Sequence, residues 1–252
     1  MKTKQKWHSD YKVIAESFID FLDSTNEKEV LASAISPLIK NSQVIVDVGA
    51  GTGELISRLT TTKRKIIAIE PCKDYIPHLT KKLNGNQHLV IPHKIENVNL
   101  PHSSVDAILF SHSLAYLDGF KSSIYKTFNW LKPGGIGVFI VLSQTGNQMH
   151  IMNKFWHFFH PNRPVLNPSA EHIEFLLSEL GQDVYRKRVS SIMNAKTKEQ
   201  ALKLISFILE INPERLDGQT KNVLNLARVS TDGEYEINAF HEVIFFRKKE
   251  KI

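Results

Sequence analysis

The ten residues Val44–Gly53, VIVDVGAGTG, restrict this chain to few folds. Val44 to Val48 is an apolar run, rich in β-branched residues and interrupted only by Asp47. A run that short fits a strand buried on both faces, as inside a parallel sheet. Gly49, Gly51 and Gly53 follow at alternate positions. From Glu54 to Leu59 the pattern turns helical, with Leu55, Ile56 and Leu59 on one side. The order is therefore buried strand, glycine turn, helix. Glycine lets the backbone turn sharply and lets a ligand come close where a Cβ would stand. The helix start offers unpaired N–H groups.

A second buried strand, Ile66–Ile69, ends in Glu70, 17 positions after Gly53. A carboxylate at the tip of the second strand is the ribose-hydroxyl acceptor of nucleoside-binding α/β folds. Two ligand types fit that pairing, a dinucleotide and S-adenosylmethionine (SAM). The turn lacks the G-x-G-x-x-G form, and Glu54 opens the helix. A pyrophosphate favours a helix start free of acid, whereas a sulfonium and an ammonium tolerate one.

These residues resemble the class I SAM-dependent methyltransferases. VIVDVGAGTG is similar to their first motif and IIAIEP to their second. Leu100–Leu117 resembles the segment around their fourth strand, and Trp130–Val141 the helix-turn-strand after it. The resemblance implies an α/β, Rossmann-like, doubly wound, seven-stranded and mostly parallel sheet. It adds N-terminal helices and a helical insertion as a substrate cap. It also implies SAM as cofactor, S-adenosylhomocysteine (SAH) as product and no metal. The cofactor contacts it implies are Asp47, Gly49, Ala50, Gly51, Gly53, Glu70, Pro71, Tyr75, Ile95, Glu96 and Ser111. Lys94 stands where the family commonly places an acid against adenine, so the Ile95 backbone or the Glu96 carboxylate takes that contact.

With 252 residues, 42% hydrophobic and 23% charged, the chain has ordinary globular composition. We read one domain over 1–252: N-terminal helices to 40, a SAM-binding core over 41–145, substrate-side insertions and a sixth strand over 146–236, and a last strand over 237–252. No apolar stretch approaches the roughly 20 residues that span a bilayer. The basic N-terminus lacks an apolar core and does not read as a signal peptide. A single cysteine, Cys72, fits a reducing, cytoplasmic setting. The net charge of +6 invites a nucleic-acid reading, but the lysines are dispersed and thicken only at the two ends. A solvated surface accounts for them better, and a monomer is favoured.

Periodicity predicts helices over 8–22, 27–40, 73–83, 120–131, 149–159, 170–180, 197–209 and 217–229. Further strands are predicted over 88–91, 105–110, 136–142, 183–192 and 239–246, with Asn238 just before the last. Strand ends on the ligand edge of an open α/β sheet form its crevice, which draws attention to His112 and Tyr116. No Asn-Pro-Pro-Tyr or Asp-Pro-Pro-Tyr follows the fourth strand, which argues against methylation of nucleobase amines. The aromatic insertion, with Phe155, Trp156, Phe158 and Phe159, reads as a hydrophobic cap, a membrane-touching surface or a core helix, and the cap is favoured.

The order of features further resembles the histamine N-methyltransferase-like small-molecule methyltransferases. That resemblance implies Glu27 as the acid that holds a substrate amine, with Phe18, His112, Tyr116, Phe155, Trp156 and Asn238 on the substrate side. Catalytic roles fall to Glu27, His112 and Tyr116. The expected activity is SAM-dependent N-methylation of a small amine or imidazole compound. O-methylation of a small carboxyl or hydroxyl compound, methylation of RNA or protein, and SAM binding without catalysis are the alternatives.

Overall fold

Side chains on a strand alternate between the two faces of a sheet, and the central strands use both. The computed structural model describes residue 18 and residues 21–163 and 168–250. Its strands are β1 (Val44–Val48), β2 (Lys65–Ile69), β3 (Leu89–Ile91), β4 (Val105–Ser111), β5 (Leu131–Leu142), β6 (Val184–Ala195), β7 (Arg228–Val229) and β8 (Tyr235–Arg247). One sheet holds them in the order β3-β2-β1-β4-β5-β8-β6, with β7 paired to β8. β1 lies parallel to β2 and β4, β2 to β3, and β4 to β5. β8 runs antiparallel to β5, from Ile136↔Arg247 to Leu142↔His241. The expected seven-stranded path is present, and the two-residue β7 is an addition to it.

Two units make up the fold. One comprises Lys28–Ser143, Leu166–Val189 and His241–Ile252. In it Val46, Val48, Ile67, Ile69, Ile108, Phe110, Phe139 and Val141 form one core. Helices α4 (Phe120–Trp130) and α6 (Ala170–Glu179) cover it through Ile124, Trp130, Ile173 and Leu177. The alternate residues Ile45, Ile66, Ala68, Ala107, Leu109, Val138 and Ile140 form the other core. Helices α1 (Glu27–Ile35), α2 (Glu54–Arg58) and α3 (Ile76–Lys82) cover that face through Leu31, Ile35, Leu55, Ile56 and Leu79. Burying each such aliphatic side chain is worth about 1.5–3 kcal/mol, so a one-residue slip of any central strand exchanges two cores.

Three polar groups fix the edges of this unit. Arg64 is buried and donates to the carbonyls of Ser42 (3.2 Å), Leu59 (2.5 Å) and Ile39 (2.8 Å). It thereby closes the loop ends before β1 and β2. Asp106 accepts from Gln43 N, Val44 N and Lys132 Nζ, tying together the starts of β1, β4 and β5. Glu242, on β8, accepts from Arg186 and Arg188 of β6. Burial raises its pKa, but Arg186, Ser143 and Arg188 outweigh that and bring it down to about 2.

The other unit comprises Met1–Glu27, Gln144–Val165 and Ser190–Phe240. It holds α5 (Asn147–Phe159), α7 (Lys198–Ile208), α8 (Thr220–Leu224) and the short β7. Thr25 bridges to Met193, and Phe21 stacks on Phe207 with centroids 4.6 Å apart.

Several boundaries differ from those predicted. The helix predicted over 8–22 lies largely outside the described residues. α1 ends at Ile35 rather than residue 40, because Pro37 lacks an N–H and constrains the residue before it. α3 begins at Ile76, with Pro77 in its first turn, where a missing N–H costs nothing. β5 starts at Leu131, earlier than residue 136, and β4 shifts register against it between Val105 and Ala107. The helix predicted over 217–229 is instead a 3-10 turn at Pro213–Leu216, α8 and then β7. Gly218 takes φ +81°, which interrupts helical continuity. β7 pairs Arg228↔Glu236 and Val229↔Tyr235 through a turn at Gly233, φ +80°. The last strand therefore begins at Tyr235, and Asn238 lies inside it.

Candidate functional site

The glycine turn joins β1 to α2. Gly49, Gly51 and Gly53 all have positive φ, +74°, +57° and +81°. A side chain at Gly49 would also collide with its surroundings, since a Cβ there would stand 2.4 Å from Ser113 Cβ. Gly49 N and Ala50 N both donate to Ile69 O, at 2.8 and 3.2 Å, which pins the turn to the end of β2.

Glu70 follows β2 and reaches back over that turn. Its Oε2 accepts from Gly51 N and its Oε1 from Cys72 N, each at 2.8 Å. Burial raises its pKa, and the two backbone amides oppose the rise. Each oxygen of an ionised carboxylate can accept more than one hydrogen bond, so Glu70 braces the loop while keeping capacity for hydroxyl donors.

Asp47 is 2% exposed on β1. Burial, with the neighbouring Glu70 charge, pushes its carboxyl up from 3.8 to about 7, and Lys28 only partly opposes this. Asp47 Oδ1, Thr52 Oγ1, Ser111 Oγ and Ser113 Oγ are buried atoms with no hydrogen-bond partner among the described residues. Buried polar atoms are normally paired. A cluster of unpaired oxygens around a glycine cradle suits a ligand that brings hydrogen-bond donors or positive charge.

On the neighbouring loops Ile95 is buried, in a 3-10 turn at Ile95–Asn97. Glu96 Oε1 accepts from Asp118 N at 3.0 Å, and Asp118 pairs with Lys94 Nζ at 3.1 Å. The lysine that departs from the family pattern is thus matched by an acid from the loop after β4. Lys126 Nζ closes the same loop, donating to Ile95 O and Glu96 O. Tyr75 is half-buried just before α3, and Pro71 is exposed.

His112 follows Ser111 at the end of β4. Its φ is +55°, rare for a non-glycine residue. Its N–H donates to Ile140 O at 2.9 Å. Its Nε2 lies 3.2 Å from Nδ1 of His241, with the rings edge to face. Tyr116, in the next turn, is 55% exposed. Asp47, Gly49, Ala50, Gly51, Gly53, Glu70, Tyr75, Ile95, Glu96, Ser111 and His112 all belong to one unit. Within it, Gly51 contacts Glu70, Gly49 faces Ser113, and Asp47 senses Glu70.

The remaining expected substrate residues belong to the other unit. Glu27 is 4% exposed at the start of α1. Phe18 stacks near Phe21 and Phe207. Phe155 and Trp156 are buried on α5. Trp156 Nε1 donates to Arg163 O, and the Arg163 guanidinium lies over its ring. Asn238 Oδ1 accepts from Asn147 N at 2.8 Å, at the first turn of α5.

Sequence reasoning missed His241, which is fully buried in β8. The polar pair His241-Glu242 inside the run AFHEVIFF was the available signal. It also missed Asp118 as the partner of Lys94.

Comparison with known proteins agrees with this geometry. Residues 46–139 match the family described as a methyltransferase domain. Uncharacterised methyltransferases of Mycobacterium bovis and Mycobacterium tuberculosis are each 30% identical over 91 residues, 36% of this chain. The matched segment also spans only 36% of the length of those curated relatives. Among solved structures, a SAM-dependent methyltransferase from Thermotoga maritima, titled a possible histamine N-methyltransferase, superposes with TM-score 0.58 at 18% identity, covering 97% of each chain. The YcgJ protein of Bacillus subtilis gives 0.61 at 13% identity, covering 87% of this chain and 99% of its own. The [4+2]-cyclase SpnF gives 0.57 at 14% identity, covering 88% and 81%. The fold is that of the class I methyltransferases, and within it residues 46–139 are similar to the methyltransferase-domain family.

Proposed function

We propose that this chain is a SAM-dependent methyltransferase that N-methylates a small amine or imidazole compound. The observation that carries the cofactor is the cradle at Gly49, where unpaired buried oxygens of Asp47, Ser111 and Ser113 surround a turn with no room for a Cβ. Asp47 and the serines suit the ammonium of the methionyl part, and Glu70 suits the ribose hydroxyls. Ile95 and Glu96 suit the adenine. When bound, SAM supplies a methyl group on a positively charged sulfur.

The chain's own task is then mainly positioning and exclusion of water. A neutral amine needs no strong base to use its lone pair, but a proton must leave before the product is neutral. His112 is the group proposed to accept it, because an imidazole titrates near neutrality. Tyr116, on the turn that follows, is proposed to line the acceptor's approach. The likeness to the Thermotoga protein described as a possible histamine N-methyltransferase supports the amine or imidazole class. SpnF is the reason to test it, since one fold hosts different chemistries.

The test is calorimetric titration of SAH into wild type and Glu70→Ala, followed by a methyl-acceptor screen that starts with biogenic amines and imidazoles. Micromolar binding that weakens at least tenfold in the variant, with turnover of an amine, supports the reading. Absence of SAH binding to wild type refutes it. SAH binding with turnover only of hydroxyl or carboxyl compounds refutes the N-methylation part.

A further inference from the structure

His241 sits in the core, 0% exposed and opposite Leu142 of β5, among the apolar β8 residues Val243, Ile244 and Phe246. Its Nδ1 lies 3.2 Å from Nε2 of His112. A third group joins them. The buried carboxylate of Glu27 brings an oxygen to the same place, and one ligand atom from each of the three residues lies within 4.8 Å of the other two. Burying a carboxylate with two imidazoles costs free energy unless strong partners offset it. A divalent cation is a partner that all three can share.

The spacing fits one ion. Imidazole nitrogens bind zinc at about 2.0–2.1 Å, so two of them at tetrahedral or octahedral angles stand about 2.9–3.4 Å apart. The two histidines already hold that distance, edge to face with their planes at 65°. Glutamate has three rotatable side-chain bonds, which let its oxygen close the remaining gap. Each ligand is set by a different element. His112 holds φ +55° at the end of β4, with its N–H fixed to Ile140 O on β5. His241 is placed by the pairing of β8 with β5. Glu27 opens α1 and donates its N–H to Thr25 Oγ1 at 3.1 Å. The rest of α1 belongs to the same unit as both histidines.

We infer that Glu27, His112 and His241 bind one divalent transition-metal ion such as Zn2+ or Fe2+. Two imidazoles and one carboxylate select such ions over Mg2+ and Ca2+, which take oxygen ligands. Three protein ligands leave at least one position on the ion open. His112 is only half-buried, so the open position faces the more accessible side of the cluster. The site follows from the ligands of this chain and stands apart from the methyl-transfer reading. It alters that reading in one respect. In the loaded protein His112 is a ligand, and the proton it is proposed to accept goes instead to a hydroxide on the ion. The acceptor's N–H bond then breaks, its electron pair stays on the nitrogen, and the hydroxide becomes water.

Co2+ is the probe, because its visible absorption reports the ligands around it. Protein freed of metal by dialysis against a chelator is titrated with CoCl2 and then with ZnCl2. Wild type is expected to show bands that saturate at one equivalent of Co2+ and vanish as Zn2+ displaces it. Glu27→Gln keeps the shape of the side chain, and His112→Asn tolerates the same positive φ. Each should weaken binding by roughly a hundredfold or more, beyond what the loss of an outer-shell partner costs. His241→Leu should do the same, and if it fails to fold the other two variants decide. One-equivalent binding that survives in both Glu27→Gln and His112→Asn places the ion elsewhere and overturns the inference. Absence of stoichiometric binding to wild type also overturns it, and leaves the three side chains as a hydrogen-bonded cluster. SAH titration of metal-free and zinc-loaded protein reads the cofactor separately. Metal binding without SAH binding refutes the function and keeps the site, and SAH binding without metal binding does the reverse.

Discussion

Asp47 ties the site to stability, and the size of the link follows from its burial. Its carboxyl rises from 3.8 to about 7 on folding. A folded state that holds a proton more tightly is favoured at low pH. Below pH 3.8 both states are protonated and Asp47 costs nothing. Between 3.8 and about 7 the unfolded chain ionises first and the folded state loses ground. Above about 7 the loss is complete. Each tenfold difference in proton affinity is worth about 1.4 kcal/mol, so the full penalty is about 4 kcal/mol. Asp47→Asn removes the charge and nearly keeps the shape. The variant should therefore match wild type near pH 4 and exceed it by up to about 4 kcal/mol at pH 8. For a chain of this size that is a gain on the order of 10 °C in Tm. Urea or thermal unfolding of both proteins from pH 4 to 8 measures the difference, and carboxylates common to both cancel. A constant gap across that range, or a variant less stable at pH 8, refutes the reasoning. Under the proposed function the same substitution weakens SAM, because a cationic ligand is what an ionised Asp47 would compensate.

Two other substitutions test the frame around this group. Gly49→Ala meets Ser113 Cβ at 2.4 Å and holds a positive φ, so it should lose about 1–2 kcal/mol from strain alone and bind SAH at least tenfold more weakly. The double variant with Ser113→Gly should recover part of the loss, and strict additivity in calorimetry and unfolding would show that the two residues do not meet. Arg64→Met leaves the carbonyls of Ser42, Leu59 and Ile39 without their donor, and should lower stability by about 2–4 kcal/mol in urea unfolding. A loss under 1 kcal/mol would mean that water replaces the guanidinium there.

The parallel core was legible because it repeats one signal. β1 and β2 are short β-branched runs and β4 is a mostly apolar run, and the glycines and Glu70 mark where the first two end. Contacts made across the fold left no such trace. Nothing local says that Asp118 will answer Lys94, that Arg64 will turn inward to three carbonyls, or that His241 will face His112. The C-terminal strand was read short for a different reason. The turn signal Asp232-Gly233 was on view, but a helical pattern assigned to the preceding residues hid the first arm of that hairpin. Tyr116, on the turn after the same strand, is 55% exposed, and the strand-end rule by itself does not say how deep in the crevice such a residue will sit.

The strand order has a consequence for how the chain is made. Among the described residues β6 joins the sheet through β8, which leaves the ribosome some 50 residues later. At roughly 5–20 residues per second, that leaves β6 without its sheet neighbour for several seconds. A long unpaired strand is a hazard for association with other nascent chains. Arg186, Lys187 and Arg188 lie in the middle of its first half, where repulsion between like charges guards against such pairing. Repulsion between the arginines that later clasp Glu242 works against such pairing while β8 is still being made.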